Sequence, residues 1–458
     1  MQKIIFGTDG FRGIIADNFT FQNVSRIAAG IAGYLHAYKP QSKQTGVIVG
    51  FDRRFLSDAF AERIARELAQ RGIPVFISNE PVPTPAVSCY IRKHGLPAGV
   101  IVTASHNPCL FNGVKIKNEF GASAGQEVTA IVERLTERTE PAGSCGKNAA
   151  AVRKVAINEP YLSLLKRYVN VPLLNKTKFN VLIDAMHGVG SGIVERVLCR
   201  SRCRITTIRG ERDVLFGGVN PEPILHNLAM LRSTVKATSC DLALAFDGDA
   251  DRIGAMCPDG RFISSHQAIC LLLLHCVENR HWSGKVVKSI NTTTMVDKIT
   301  RHYGLPLDIV PVGFKHIAAK MLQEDVLLGG EESGGIGFKK YMPERDGVLA
   351  GLLLLELMAC RRRGIIEIMR DMEKRFGKFV YLRRDMPVRL TKKIPHPQSI
   401  CGKKVARIDT YDGTKFTLED ESWLLIRASG TEPIVRIYAE AGSEKAVRAL
   451  INFGCGVL

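Results

Sequence analysis

Apolar and polar positions alternate along the first 150 residues in two rhythms. Val24, Ile27, Ala28, Ile31, Leu35 and Tyr38 recur at helical spacing and predict an amphipathic helix. Val47-Ile48-Val49 and Val75-Phe76-Ile77 are short β-rich runs that predict buried strands, with a helical stretch over 58–71 between them. A second helical stretch over 84–92 leads to the apolar run Gly99-Val100-Ile101-Val102. Strands alternating with helices predict β-α-β units and a mainly parallel sheet.

The rhythm returns twice. Strands are predicted over 179–184, 205–208 and 241–246, with Gly188, Gly190 and Gly192 opening a helix that reaches Cys199. Strands over 286–290, 307–310 and 326–328 follow, with helices over 293–302 and from Lys315 onward. After a helix over 365–376 the pattern changes. Strands near 379–390, 405–408, 423–426 and 434–440, an Asp412-Gly413 turn and a last helix over 443–452 predict a smaller domain. The expected fold is α/β: three related α/β domains with mixed, mainly parallel sheets, plus a C-terminal α+β domain. Their expected extents are 1–150, 151–254, 255–368 and 369–458.

Three buried strands run straight into loops that carry chemistry. They are Thr103-Ala104-Ser105-His106-Asn107-Pro108, Asp247-Gly248-Asp249-Ala250-Asp251-Arg252 and Gly330-Glu331-Glu332-Ser333-Gly334-Gly335. Open α/β sheets place ligand sites at the carboxyl ends of their strands, so these loops are expected to meet in one central cleft. Two further loops are Gly7-Thr8-Asp9-Gly10-Phe11-Arg12-Gly13 and Arg427-Ala428-Ser429-Gly430-Thr431-Glu432-Pro433.

Composition narrows the function classes. The 458 residues are 45% hydrophobic and 24% charged, ordinary for a globular chain of three or four domains. The longest apolar stretches, 268–277 and 348–360, fall short of the roughly 20 residues a spanning helix needs, and Glu356 interrupts the second. The amino terminus lacks the apolar core of a signal peptide, so a cytoplasmic protein is expected. The 12 cysteines are scattered without a Cys-x-x-Cys and predict free thiols. The formal net charge is +18, with much of the excess between Arg361 and Lys404. No aromatic interleaving or helix-turn-helix accompanies it. It reads first as a solvated basic face and second as one that attracts phosphorylated small molecules, with no specific nucleic-acid partner and no membrane expected.

Asp247, Asp249 and Asp251 alternate at two-residue spacing, and carboxylates this close repel one another without a cation. A hard divalent ion suits them. An EF-hand is excluded because Arg252 and Pro258 occupy the positions of its glycine and glutamate. Mg²⁺ is favoured, since it keeps coordination places for a phosphoryl oxygen. Ser105 is then the natural phosphoryl carrier, with His106 or Lys115 for proton transfer. Arg427, Ser429, Gly430 and Thr431 form a phosphate cradle of one forked cation, two hydroxyls and close backbone. Glu331 and Ser333 suit neighbouring sugar hydroxyls, and Arg12 can sit near a phosphate.

In this order and at these intervals the five loops resemble the α-D-phosphohexomutase superfamily, across essentially the whole chain. The resemblance implies four domains around a deep cleft and Ser105 as the phosphoserine. Asp247, Asp249 and Asp251 would bind Mg²⁺ with the Ser105 phosphate, and Arg12, Lys115 and Arg252 would line the catalytic cleft. Glu331 and Ser333 would contact sugar hydroxyls, and Arg427, Ser429, Gly430 and Thr431 would hold the non-reacting phosphate. The implied reaction moves phosphate between the 1- and 6-positions of a hexose through a 1,6-bisphosphate, with glucose 1,6-bisphosphate or a related hexose bisphosphate as activator.

Glu331-Glu332-Ser333 and Gly313-Phe314-Lys315 are similar to the glucose-phosphate branch, with Lys315 as a further cleft lysine. Phosphomannomutase and phosphoglucosamine mutase are the alternatives, and a non-catalytic relative that binds RNA or protein is a remote one. A monomer or homodimer is expected. Two departures stand out: Cys109-Leu110-Phe111 is unusually apolar, and Tyr341-Met342 stands where a histidine is expected.

Overall fold

The computed structural model describes residues 3–7, 9–141, 149–390, 393–429 and 434–458. Four sheets follow one another along the chain. The first holds β1 (Phe11–Ile14), β2 (Val47–Phe51), β3 (Val75–Ser78), β4 (Ala98–Val102), β5 (Phe111–Asn118) and β6 (Val152–Val155), in the order β1-β5-β4-β2-β3-β6. The second holds β7 (Asn180–Asp184), β8 (Arg204–Ile208), β9 (Leu242–Phe246), β10 (Ile253–Met256) and β11 (Phe262–Ile263), in the order β11-β10-β9-β7-β8. The third holds β12 (Lys285–Ser289), β13 (Leu307–Val310), β14 (Val326–Gly330) and β15 (Ile336–Phe338), in the order β13-β12-β14-β15. The fourth is β16 (Val380–Met386), β17 (Ser399–Ile400), β18 (Lys403–Asp409), β19 (Thr414–Leu418), β20 (Trp423–Ala428) and β21 (Val435–Ala441), in the order β16-β21-β20-β19-β18-β17.

The first three sheets share one plan. A parallel centre is flanked by an antiparallel strand that follows the chemistry-bearing loop: β4 turns into β5, β9 into β10 and β14 into β15. Each loop is therefore the tip of a hairpin at the carboxyl end of a buried strand. The sheets are mixed, mainly parallel, and the fourth pairs antiparallel throughout. The sheets overrun the expected extents. β6 closes the first sheet, β10 and β11 complete the second, and the helix Ile365–Phe376 buries Ile368 and Met372 in the shared core.

Alternation explains why the central strands read as unbroken apolar runs. Along β4, Val100 and Val102 enter one core and Ile101 the other. Along β9, Leu242, Leu244 and Phe246 face one core, and Ala243 and Ala245 another. Both faces are covered, as in sheets flanked by helices. One apolar core runs without a break from Ile101 through Leu244 to Leu328, so the first three units are welded together. At its centre lies the helix Gly347–Arg361, capped by Asp346 through the Leu349 amide. Its buried Glu356 is neutralised by Arg280 at 2.7 Å, which accounts for a charge inside an apolar run. Among the described residues no helix is long and apolar enough to cross a membrane.

The C-terminal sheet has its own core under the helix Glu444–Gly456. It docks on the third unit through a smaller cluster in which Ile290, Trp423, Leu425 and Tyr438 are buried. Two buried polar groups lie beside this cluster. Glu440 accepts from the Thr294 amide at 2.8 Å and from Trp423 Nε1 at 3.1 Å. Lys415 donates to the Ile290 carbonyl at 2.6 Å.

Candidate active site

Two hairpin tips meet at Ser105. Its backbone takes a positive φ of 52°, strained for a residue with a Cβ, just past the end of β4. The side chain is buried, and its Oγ donates to Asp247 Oδ2 at 2.6 Å. His106 Nδ1 lies 3.4 Å from the same oxygen. Burial, then the cations Arg252, Arg12 and Lys115, push the His106 imidazole well below its usual range.

The strained loop is held from beneath by Arg54, just past the end of β2. Its fully buried guanidinium donates to the carbonyls of Ser105 at 2.6 Å, Asn107 at 2.7 Å, Pro108 at 2.9 Å and Phe111 at 3.0 Å. Asp52 balances that charge at 3.3 Å, and Phe216 of the second unit stacks on it. The strand-end rule that exposed the other loops also points to Asp52-Arg53-Arg54, but an arginine after a strand carries no distinguishing sequence signal.

Asp247, Asp249 and Asp251 are fully buried, with carboxylate oxygens within 4.8 Å of one another. Burial, with Asp251 and Asp249, pushes the Asp247 carboxyl well above its usual range. Asp249 and Asp251 share Lys115, whose Nζ lies 2.8 Å from Asp249 Oδ2, 3.2 Å from Asp251 Oδ2 and 3.0 Å from Asp9 Oδ2. Burial works against the Lys115 charge, but these carboxylates outweigh it and hold the ammonium above its usual range. Thr84 donates to Asp249 Oδ2 at 2.6 Å. Asp249 Oδ1 and Asp251 Oδ1 are buried and accept no hydrogen bond among the described residues. Buried carboxylate oxygens are almost always satisfied, so this pair of open acceptors suits a cation.

Arg345 ties three units together. One terminal nitrogen lies 2.6 Å from Asp9 and 2.8 Å from Asp251, and the other donates to Glu331 Oε1 at 3.2 Å. Ser333 Oγ donates to the same Glu331 oxygen at 2.7 Å. The third loop therefore joins the site through Arg345. Arg345 belongs to Pro343-Glu344-Arg345-Asp346-Gly347, a stretch distinctive in sequence, though its role emerges only in three dimensions. Arg252 links the same two loops by a backbone bridge to Gly335, and its side chain lies 3.7 Å from Asp251. Arg12 donates to the Asn107 side chain from β1. Tyr341, in place of the expected histidine, donates to Asp346 at 2.8 Å and so supports the helix cap.

The remaining candidates lie at the junction with the C-terminal domain. Lys315 is half-buried in the first turn of the helix Phe314–Gln323. Arg427 lies near the end of β20, and its Nε donates to Asp412 at 2.6 Å. Ser429 donates its amide to the Ile434 carbonyl at 2.9 Å. Gly430 and Thr431 lie outside the described residues. Much of the basic excess is locally neutralised: Arg361 pairs with Glu278 and Asp371, Arg383 with Asp385, and Arg407 with Asp409.

Four family models cover the chain in order. They are phosphoglucomutase/phosphomannomutase alpha/beta/alpha domain I over 3–142, domain II over 159–260, domain III over 264–376 and the C-terminal domain over 372–453. A phosphoglucomutase/phosphomannomutase of Thermococcus kodakarensis is 30% identical over 456 residues, covering 99% of this chain and 98% of its own. A phosphoglucosamine/phosphogalactosamine mutase of Sulfurisphaera tokodaii is 31% identical over 98% of this chain and 97% of its own. A crystal structure from Thermus thermophilus, given the provisional name phosphomannomutase, superposes with a TM-score of 0.88 at 36% identity and covers 98% of both chains.

Proposed function

The chain belongs to the phosphoglucomutase/phosphomannomutase family of isomerases, and on that premise we propose that it moves phosphate between the 1- and 6-positions of a hexose through phospho-Ser105. The observation that carries this reading is the buried Ser105 Oγ, 2.6 Å from Asp247, beside two carboxylate oxygens that accept no hydrogen bond among the described residues. Those oxygens and the all-carboxylate donor set fit Mg²⁺. Asp247, Asp249 and Asp251 would hold it, together with an oxygen of phosphorylated Ser105. When bound, Mg²⁺ offsets the charge of the transferring phosphoryl group.

In this reading Arg54 fixes the loop that presents Ser105, and Arg12 and Arg252 surround the phosphoryl group with positive charge. His106 or Lys115 is the group that exchanges protons with the attacking and leaving oxygens. Glu331 and Ser333 receive the sugar hydroxyls. Arg427 and Ser429, with Gly430 and Thr431, grip the phosphate that is not reacting. The sugar hydroxyl takes the phosphoryl group from Ser105, giving a 1,6-bisphosphate. The bisphosphate turns around, and its other phosphate returns to Ser105. A cradle separate from the transfer centre is needed because each end of the sugar must occupy it in turn.

Glucose 1-phosphate is the first substrate reading, supported by Glu332 at the middle of the third loop. Mannose and glucosamine phosphates are the second, supported at least as well by the names of the similar proteins. The test is conversion of glucose, mannose and glucosamine 1-phosphates to their 6-phosphates, with Mg²⁺ and a trace of the matching 1,6-bisphosphate. At least one sugar should be converted by the wild type and not by Ser105→Ala. Equal conversion by Ser105→Ala would reject the serine mechanism.

A further inference from the structure

Asp412 sits in the turn between β18 and β19, and each of its carboxylate oxygens serves a different domain. Oδ1 accepts from Arg427 Nε at 2.6 Å, within the C-terminal domain. Oδ2 accepts from the Val312 amide at 2.7 Å, in the third unit. Both side chains of the ion pair are largely buried, at 13% and 15% exposure, so the contact is shielded from water.

The surroundings leave this turn little freedom. A Cβ on Gly413 would stand 2.6 Å from the Ile426 carbonyl and 2.9 Å from Arg427 Cβ, so the turn packs directly on the strand that presents the arginine. Val312 packs against the apolar cluster that joins the two domains, and Gly313 and Lys315 follow it closely. Arg427 spends its Nε on Asp412. Its two terminal nitrogens make no hydrogen bond among the described residues. Those two nitrogens form the edge of the guanidinium that meets a phosphate in bidentate fashion.

We propose that Asp412 is a positioning residue for the phosphate cradle. It fixes the plane of the Arg427 guanidinium and locks that plane to the third-unit loop that leads into the helix bearing Lys315. Cradle geometry and domain docking then become one event: the arginine is aimed only while Asp412 also holds the Val312 amide. The proposal rests on Arg427 being a phosphate contact.

The test is a double-mutant cycle on KM for glucose 1-phosphate, or for mannose 1-phosphate if glucose is not turned over. The variants are Asp412→Asn, Arg427→Ala and the pair. Asp412→Asn keeps the shape of the side chain and is checked for an unchanged thermal midpoint. It is expected to raise KM about tenfold with kcat within about threefold, and to change KM less than about twofold when Arg427 is already alanine. An unchanged KM in Asp412→Asn, with a raised KM in Arg427→Ala, overturns the proposal. So does the same fold-increase in both backgrounds, which marks general destabilisation of the domain. An unchanged KM in Arg427→Ala rejects the underlying reading of the cradle, and the proposal with it.

Discussion

Ser105 Oγ and Asp247 Oδ2 are 142 residues apart in sequence and 2.6 Å apart in space. The proposed phosphoryl carrier and the first carboxylate of the candidate metal loop are thus already in register. Asp247→Asn removes charge without removing shape. It is expected to lower turnover by about 10²–10³-fold and to shift the Mg²⁺ dependence to higher concentration. The check is a Mg²⁺ titration of the rate after chelator treatment. Activity of the chelated wild type equal to that of the Mg²⁺-supplied enzyme would contradict the reading.

Gly248 holds the two loops at contact distance. A Cβ there would stand 2.5 Å from the Ser105 carbonyl, a backbone atom that cannot swing away. Gly248→Ala should therefore force the serine loop off Asp247 and destabilise the fold by about 1–3 kcal/mol. Denaturant unfolding reports the second effect and single-turnover phosphoryl transfer the first. An alanine enzyme that matches wild type in both would contradict this account of the contact.

Arg54→Lys retains the charge that balances Asp52 but offers one ammonium to four carbonyls. The serine loop should relax from its positive φ, with a loss of about 2–4 kcal/mol in stability. Turnover should fall, and KM should change little because the proposed phosphate cradle lies elsewhere. Urea midpoints and steady-state kinetics on the same preparation separate these effects, and a raised KM at wild-type kcat would be the contrary result.

Lys415 makes the domain junction sensitive to pH. Burial, with Lys288 beside it, pushes its ammonium down to about 7 against the pull of Asp297, Glu440 and Asp409. The unfolded chain therefore binds more protons than the folded one from about pH 7 to about pH 10.5. Stability should rise with pH through that window, and Lys415 should add no pH dependence below it. Urea midpoints of wild type and Lys415→Met, compared near pH 6 and near pH 9, should diverge in favour of wild type at the higher pH. A difference that does not change with pH would contradict the assignment.

The central strands were legible because both of their faces are apolar, and the serine and aspartate loops because their chemistry is local. β5 was not, since Lys115 and Lys117 stand at inward positions and break the apolar rhythm. Both are buried, Lys115 against Asp249 and Lys117 against Glu344. β19 hides for the same reason, with Lys415 turned inward. Arg54, Asp9, Arg345 and Asp412 act on residues far away in sequence, and no local spacing marks such partners. Charged residues at core positions are thus where the hydrophobic pattern stops predicting and the site begins.

One apolar core spans the first three units, while the C-terminal sheet keeps a core of its own. In amide hydrogen exchange this division should appear as two cooperative blocks. Amides of β4, β9 and β14 should open together, at the cost of global unfolding. Those of β20 and β21 should open at a lower free energy, as the C-terminal domain comes apart alone. A bound phosphosugar that engages both blocks would erase the gap between them, so substrate would register as slowed exchange in strands it never touches.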